Sequence, residues 1–202
     1  MGRVLVACEF SGIVRRAFAD LGHDAWSCDL LPAEDGSNCH ITGDARDILD
    51  HGWDLLIVAH PPCTRLCNSG VRWLHRPPPG KTAAQMQVEL REGAELFSVF
   101  WNAPIARRCI ENPVMHHHAK SLIHNYEPPA QSVQPWQYGH PETKRTCLWL
   151  ANLPGLRRQI SLMGGRRACT GCLPARTDGA SDRGSFPALR RRWRRNGAIS
   201  YQ

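Results

Sequence analysis

Leu55-Leu56-Ile57-Val58-Ala59-His60-Pro61-Pro62-Cys63-Thr64-Arg65-Leu66-Cys67-Asn68 is the stretch on which the reading of this chain turns. Its opening run, Leu55–Ala59, is apolar without interruption, the pattern of a strand buried on both faces of a sheet. Pro61 and Pro62 stop that strand and stiffen the backbone, and Cys63 follows at once. A thiol on a rigid turn beyond the carboxyl end of a parallel strand stands where open α/β sheets hold their ligands. Cys63 is therefore the first candidate for chemistry. A thiolate adds to an electron-poor carbon and splits one hard step into two easier ones. To ionise it needs a nearby cation or a helix N-terminus. Most cysteines are instead small buried hydrophobes, and Cys67 reads as one of these.

Outward from this stretch, the segments alternate in the βα manner of a mostly parallel open sheet, so the fold class is α/β. Arg3–Ala7 is a short apolar strand. Ile13–Leu21 has helical spacing through Ile13, Ala17, Phe18 and Leu21, with Gly22 as the stop. Ala25–Cys28 is a strand ending at Asp29. Ala83–Trp101 is a long helix with Met86, Leu90, Ala94, Phe97 and Trp101 on one side. Ala106–Ile110 is a strand that runs into Glu111-Asn112-Pro113, and Thr146–Leu150 is a strand late in the sheet. The proline-rich stretch Arg76–Gly80 is a loop and a candidate lid.

Composition narrows the class. The chain has 202 residues, 42% of them hydrophobic and 21% charged, which suits one soluble domain with a full core. No apolar run approaches a membrane span, and Met1–Val6 reads as a first strand rather than a signal peptide. Nine cysteines without a secretory signal predict free thiols in a reducing cytoplasm. The net charge is +7, yet residues 1–165 hold 16 basic and 16 acidic side chains. The excess lies in residues 166–202, nine arginines against Asp178 and Asp182, without lysine and without helical or strand periodicity. Such a tail binds phosphates nonspecifically.

Further motifs fall at the predicted strand ends. Phe10-Ser11-Gly12 lies between the first strand and first helix, where a glycine lets a cofactor approach and a helix N-terminus offers N–H groups. Asp29 follows Gly12 by 17 residues, close to the spacing of a ribose-binding carboxylate; capping a turn is the equal alternative. Asp44 either faces an adenine amino group or caps a helix. Glu111 is placed to protonate or hydrogen-bond a ring nitrogen if burial raises its pKa. Asn112 and Pro113 also read as the N-cap and first residue of a helix. The segment Gln134–His140 mixes aromatics and amides ahead of Lys144 and Arg145, so it either stacks a base and grips a phosphate or covers the sheet edge. His116-His117-His118 and Cys169-Thr170-Gly171-Cys172 are weak as metal motifs, and no metal is expected.

In this order, Phe-x-Gly, a strand-end acid, Pro-Pro-Cys and Glu-Asn-Pro resemble the cytosine-5 DNA methyltransferase family, and more closely its small, phage-type members. Cys8–Gly12 through Leu30-Leu31-Pro32, His60–Thr64, Glu111–Pro113 and Gln134 through Leu150 carry the likeness, over the first three-quarters of the chain. The resemblance implies a Rossmann-like fold, S-adenosyl-L-methionine as cofactor and cytosine in DNA as substrate. It implies that Phe10, Ser11, Gly12 and Pro61 line the cofactor, that Asp29 takes the ribose and that Asp44 faces the adenine. It further implies that Cys63 attacks C6 of a flipped cytosine, that Glu111 holds N3, and that Gln134, Lys144 and Arg145 face the nucleic acid. The chain departs from the larger enzymes in having Pro-Cys-Thr and Glu-Asn-Pro, in lacking a second glycine in the cofactor turn, and in having no target-recognition segment after Leu150.

The likeness divides the chain into a catalytic domain, 1–157, and a basic, poorly ordered tail, 158–202. Suitable codons for Ala168–Gly197, read one nucleotide out of register, spell an ending that includes Arg-Phe-Phe-Pro-Gly-Ile-Ala-Ala-Ala-Met-Ala-Ala-Gln-Trp-Gly, which resembles that of the small members. A frameshift near Arg157 or Arg158 would account for the arginine excess and the aperiodic tail. Two other readings stand beside the enzyme: a nonenzymatic nucleic-acid-binding protein using the tail, and an inactive product of a damaged gene. No obligate protein partner is inferred.

Overall fold

Along the first strand, Val4 and Val6 pack on one side of the sheet and Leu5 and Ala7 on the other, and this alternation sets the layers of the molecule. The computed structural model describes residues 1–139 and 142–157. These belong to the unit Met1–Ile160. The expectations for His140, the Cys169–Cys172 motif and the tail beyond Arg157 lie outside the described residues.

The elements run β1 (Arg3–Ala7), α1 (Ile13–Asp20), β2 (Asp24–Asp29), β3 (His40–Thr42), β4 (Leu55–Val58), α2 (Ala83–Trp101), β5 (Arg107–Pro113), α3 (His117–Lys120), β6 (Gln131–Val133) and β7 (Thr146–Ala151). They build a seven-stranded sheet in the order β3-β2-β1-β4-β5-β7-β6. β1 to β5 are mutually parallel, while β7 runs antiparallel to both β5 and β6. The fold is α/β, with a mixed but mostly parallel open sheet. Strand order reverses between β1 and β4, the switch point at which open sheets form a crevice beyond their carboxyl ends.

α2 forms as its spacing predicts. Thr82 caps it, with the Thr82 and Gln85 side chains each accepting from the other's backbone N–H. Met86, Leu90, Ala94, Phe97 and Trp101 are buried, in one cluster with Leu5, Ala7, Leu56 and Val58. α1 covers the opposite face and differs from expectation. Ile13 and Leu21 are 65% and 74% exposed, whereas Val14 and Phe18 pack against Val4, Val6, Ala25 and Ala59. α1 has eight residues, so the β1–α1 turn, more than its apolar count, decides which side meets the sheet.

β3 and β6 were not evident in the sequence. Each has three residues and no apolar run, and each exists through pairing with a longer neighbour. Glu111 to Pro113 belong to β5 itself, paired with Leu148 to Thr146. That pairing keeps the segment extended, so Asn112 and Pro113 do not start a helix. The helix that follows, α3, is capped by His116. Arg76–Gly80 is a loop, as expected. Glu89 of α2 holds both Lys81, beyond this loop, and Arg65, in the Cys63 turn.

Candidate active site at the carboxyl edge of the sheet

The Cys63 turn is fixed by backbone contacts. Ala59 N–H donates to Ala7 O at 3.0 Å, extending the β4 pairing one residue past the strand. Pro61 is buried beyond it, and Cys63 is half-buried. The Cys63 carbonyl accepts from the N–H of both Leu66 and Cys67 at 3.0 Å. Gly70 lies directly against this turn: a Cβ there would stand 1.8 Å from Thr64 O. Only a residue without a side chain fits.

A second clamp comes from the segment after β5. His116 N–H donates to Leu66 O at 3.0 Å and Asn68 N–H to Val114 O at 2.9 Å, around a Cys67–Met115 bridge. The His116 ring is 4% exposed. Its Nδ1 accepts from Ala119 N–H at 3.1 Å, so Nε2 carries the proton and donates to Arg65 O at 2.7 Å. Burial lowers the pKa of His116, opposed by its bond to Arg65, while His118 and His117 lower it further. The role of His116 is thus to hold the turn, and Cys67 is structural, its Sγ 3.0 Å from Ser69 Oγ.

Glu111 comes to Cys63 from β5. Burial raises its carboxyl pKa above the ordinary value, while Lys144, His60 and a hydrogen bond from Thr146 pull it down. Burial also pushes the Cys63 thiol up. Cys67 and Glu111 add to that rise, and Lys144 and the Cys63 backbone N–H oppose it. Cys63, Glu111 and Lys144 therefore share one electrostatic neighbourhood, joined by His60 and Thr146. The expected activation of the thiol is absent from the resting site, because burial outweighs the nearby cation. Both acids rest in their protonated, neutral forms more than such groups do in water.

The turn after β1 is built differently. Gly12 is left-handed at φ 70°, and a Cβ there would meet Arg15 Nη2 and Asp35 Oδ2 at 2.6 Å. Cys8, just before it, is left-handed as well. The first N–H groups of α1 are not free, contrary to expectation. Glu9, fully buried, accepts from Val14 N–H at 2.6 Å, Arg15 N–H at 3.1 Å and Ser11 Oγ at 3.2 Å. The sequence signal was an acid shortly before a helix lacking an Asp, Asn, Ser or Thr cap. Arg15 and Arg16 both pair with Asp35, from the loop after β2. Phe10, half-buried, joins that loop through its carbonyl, which accepts from Glu34 N–H at 2.8 Å.

Asp29 and Asp44 lie near this turn, both raising the Cys8 thiol pKa after burial has done so. Asp29 Oδ1 accepts from Leu31 N–H at 3.0 Å, so the turn-capping alternative is realised. Asp44 caps the short 3-10 helix Ala45–Ile48 through Arg46 N–H at 2.9 Å, and the Arg46 guanidinium grips the same carboxylate. The hydrogen bond from Arg46 holds the Asp44 pKa below its ordinary value. Gln134 and Arg145 have local partners. The Gln137 side chain accepts from Gln134 N–H at 2.9 Å, and Arg145 Nε donates to Ser132 Oγ at 2.9 Å.

No protein-family model and no curated protein matches this chain. Among the described residues no group of three His, Cys, Asp or Glu is arranged to hold a metal, and no helix is long and apolar enough to cross a membrane. A cavity of about 540 Å³ lined by Trp101, Arg108 and Tyr126 lies by the start of β5, at the other end of the strand from Glu111. The chemical groups collect at the carboxyl edge instead.

Proposed function

We propose that this chain is an S-adenosyl-L-methionine-dependent methyltransferase acting on C5 of cytosine in DNA, through a covalent adduct with Cys63. The observation that carries this reading is the convergence of Cys63 and Glu111 from separate strands, with Lys144 and Thr146 beside them. A thiol nucleophile and a carboxyl group whose pKa burial raises are the two groups needed to add to a pyrimidine and hold its ring nitrogen.

The first turn fits the cofactor. Gly12 takes the left-handed φ that this turn needs, with Arg15 and Asp35 closed against it, and Asp29 and Asp44 stand at neighbouring loop starts. Glu9 neutralises the α1 N-terminus, so a phosphate there would meet a buried carboxylate, whereas a cationic sulfonium or ammonium would be favoured. This argues against a dinucleotide and for S-adenosyl-L-methionine. Phe10, Ser11, Gly12, Asp29, Asp44 and Pro61 are the residues proposed to hold it. When bound, the cofactor supplies the methyl group that C5 takes.

Cys63 gives up its thiol proton to solvent water and its sulfur bonds to C6 of the cytosine. Glu111 holds its proton at N3, so the electron pair displaced from the C5–C6 double bond is stabilised and C5 becomes nucleophilic. Once C5 carries the methyl group, water takes its hydrogen as a proton, the C5–C6 double bond re-forms and the Cys63–C6 bond breaks to return the thiolate. Lys144 draws the thiol toward ionisation, an attraction that strengthens once substrate displaces the screening water.

The deciding experiment is methyl transfer from labelled cofactor to unmodified DNA, read in a nucleoside digest, with the chain as given and with the ending restored in frame. Label in 5-methylcytosine that disappears in Cys63→Ser is expected. Label absent from every nucleoside, with a folded, cofactor-binding protein, would overturn the reading.

A further inference from the structure

We infer that Trp136 is a stacking platform for an unpaired nucleobase, so that the β6–β7 edge binds a single strand or a strand with its bases turned out. This rests on the proposed reaction for its location, and on its own observations for the ligand. Val133 at the end of β6 pairs with Thr146 at the start of β7, which pairs with Pro113 at the end of β5. Trp136 and Arg145, just beyond Val133 and before Thr146, therefore project from the same end of the sheet as Cys63 and Glu111. Lys144 acts on the charges of both.

Trp136 is 56% exposed, whereas Trp53, Trp101 and Trp149 are 7%, 7% and 1% exposed. Its mount is rigid. The 3-10 helix Pro135–Tyr138 begins with proline, is held at Gln134 by the Gln137 side chain, and closes at Gly139 with φ 87°. Within that mount Tyr138 Oη is buried without a hydrogen-bond partner among the described residues. An exposed, rigidly held indole at the same end of the sheet as two cations is a combination that suits single strands: bases stack on the ring and phosphates meet the charges. The same ring on a sheet edge serves a duplex poorly, because paired bases hide their faces.

The test uses the full chain labelled with 5-fluorotryptophan and a mixed-sequence single-stranded oligonucleotide. The fluorine resonance missing from Trp136→Phe belongs to Trp136. It is expected to shift on titration, and Trp136→Ala is expected to weaken binding about tenfold, without altering the slope of affinity against salt. Trp136→Phe should recover most of the loss. A resonance unmoved at saturation, or Trp136→Ala binding within about twofold of the parent, overturns the inference even if 5-methylcytosine forms. If the resonance shifts but no methylcytosine forms, the reaction fails and the stacking site stands.

Discussion

On the β1–β2 side of the switch point the carboxylates of Glu9, Asp35 and Asp44 are each held by backbone N–H groups, by arginines or by both. On the β4–β5 side, Cys63 and Glu111 are half-buried and both pushed toward their neutral forms. One side is thus satisfied at rest. The other holds two acids whose charged forms burial disfavours. The difference teaches that one sheet edge can carry both charge-paired acids and acids held toward neutrality, because strands on either side of the reversal deliver their loops into a common crevice.

The largest effect should come from the reactive side. Cys63→Ser should lower methyl transfer below detection while leaving cofactor affinity within about twofold, whereas Asp29→Asn should weaken cofactor binding and spare the rate at saturation. Equal losses of both quantities in both variants would erase the division.

Next come the glycines and the cap that build each side. Gly70→Ala drives a methyl into Thr64 O and should cost about 3 kcal/mol in a urea titration, with the damage concentrated in the Cys63 turn. Glu9→Gln leaves a cap but loses the charge, and should cost about 1–2 kcal/mol. If Gly70→Ala proves neutral, the close backbone approach is wrong.

The two sides should also answer pH with opposite signs. Glu111 has its folded pKa raised, so its unfolded form deprotonates first. Stability then declines as pH rises from about 4.5 through the raised value. Glu111→Gln should remove that decline and make the protein more stable than the parent at pH 8. Asp44 has its folded pKa lowered, so its contribution is present above about 3.8 and is lost as pH falls through the lowered value. Asp44→Asn should therefore destabilise at neutral pH. Parallel stability–pH curves for the two variants would contradict this.

The smallest effect belongs to His116. Its folded pKa is lowered, so the unfolded chain takes the proton first and stability falls as pH drops below about 6.5. Hydrogen exchange at Leu66 and Cys67 should quicken over the same range, and His116→Asn should flatten that pH dependence.

Much of this edge was legible in the sequence. Leu55–Ala59, the prolines and Cys63 gave the strand and its turn, and the spacing of α2 matched its observed ends, because long periodic segments carry their own signal. Glu111 was placed at a strand end, though not inside the strand. Other features had little local signal. His116 read as part of a histidine tract, and only packing made it the tie for Arg65. Ile13 and Leu21 belong to the apolar spacing of the Ile13–Leu21 segment yet are exposed, because a two-turn helix does not reveal which side faces the sheet.

The sequence alone determined the alternating α/β class, the β4 turn and the identity of the candidate nucleophile. Each of these depends on residues close together in the chain, where backbone sterics and apolar periodicity act. Only the tertiary structure decided that β7 runs antiparallel between β5 and β6, that Glu9 fills the first helix end, and that Cys63 and Glu111 share burial. These depend on which distant segments meet and on how much water their meeting removes, and the pKa of a buried acid is set by that removal.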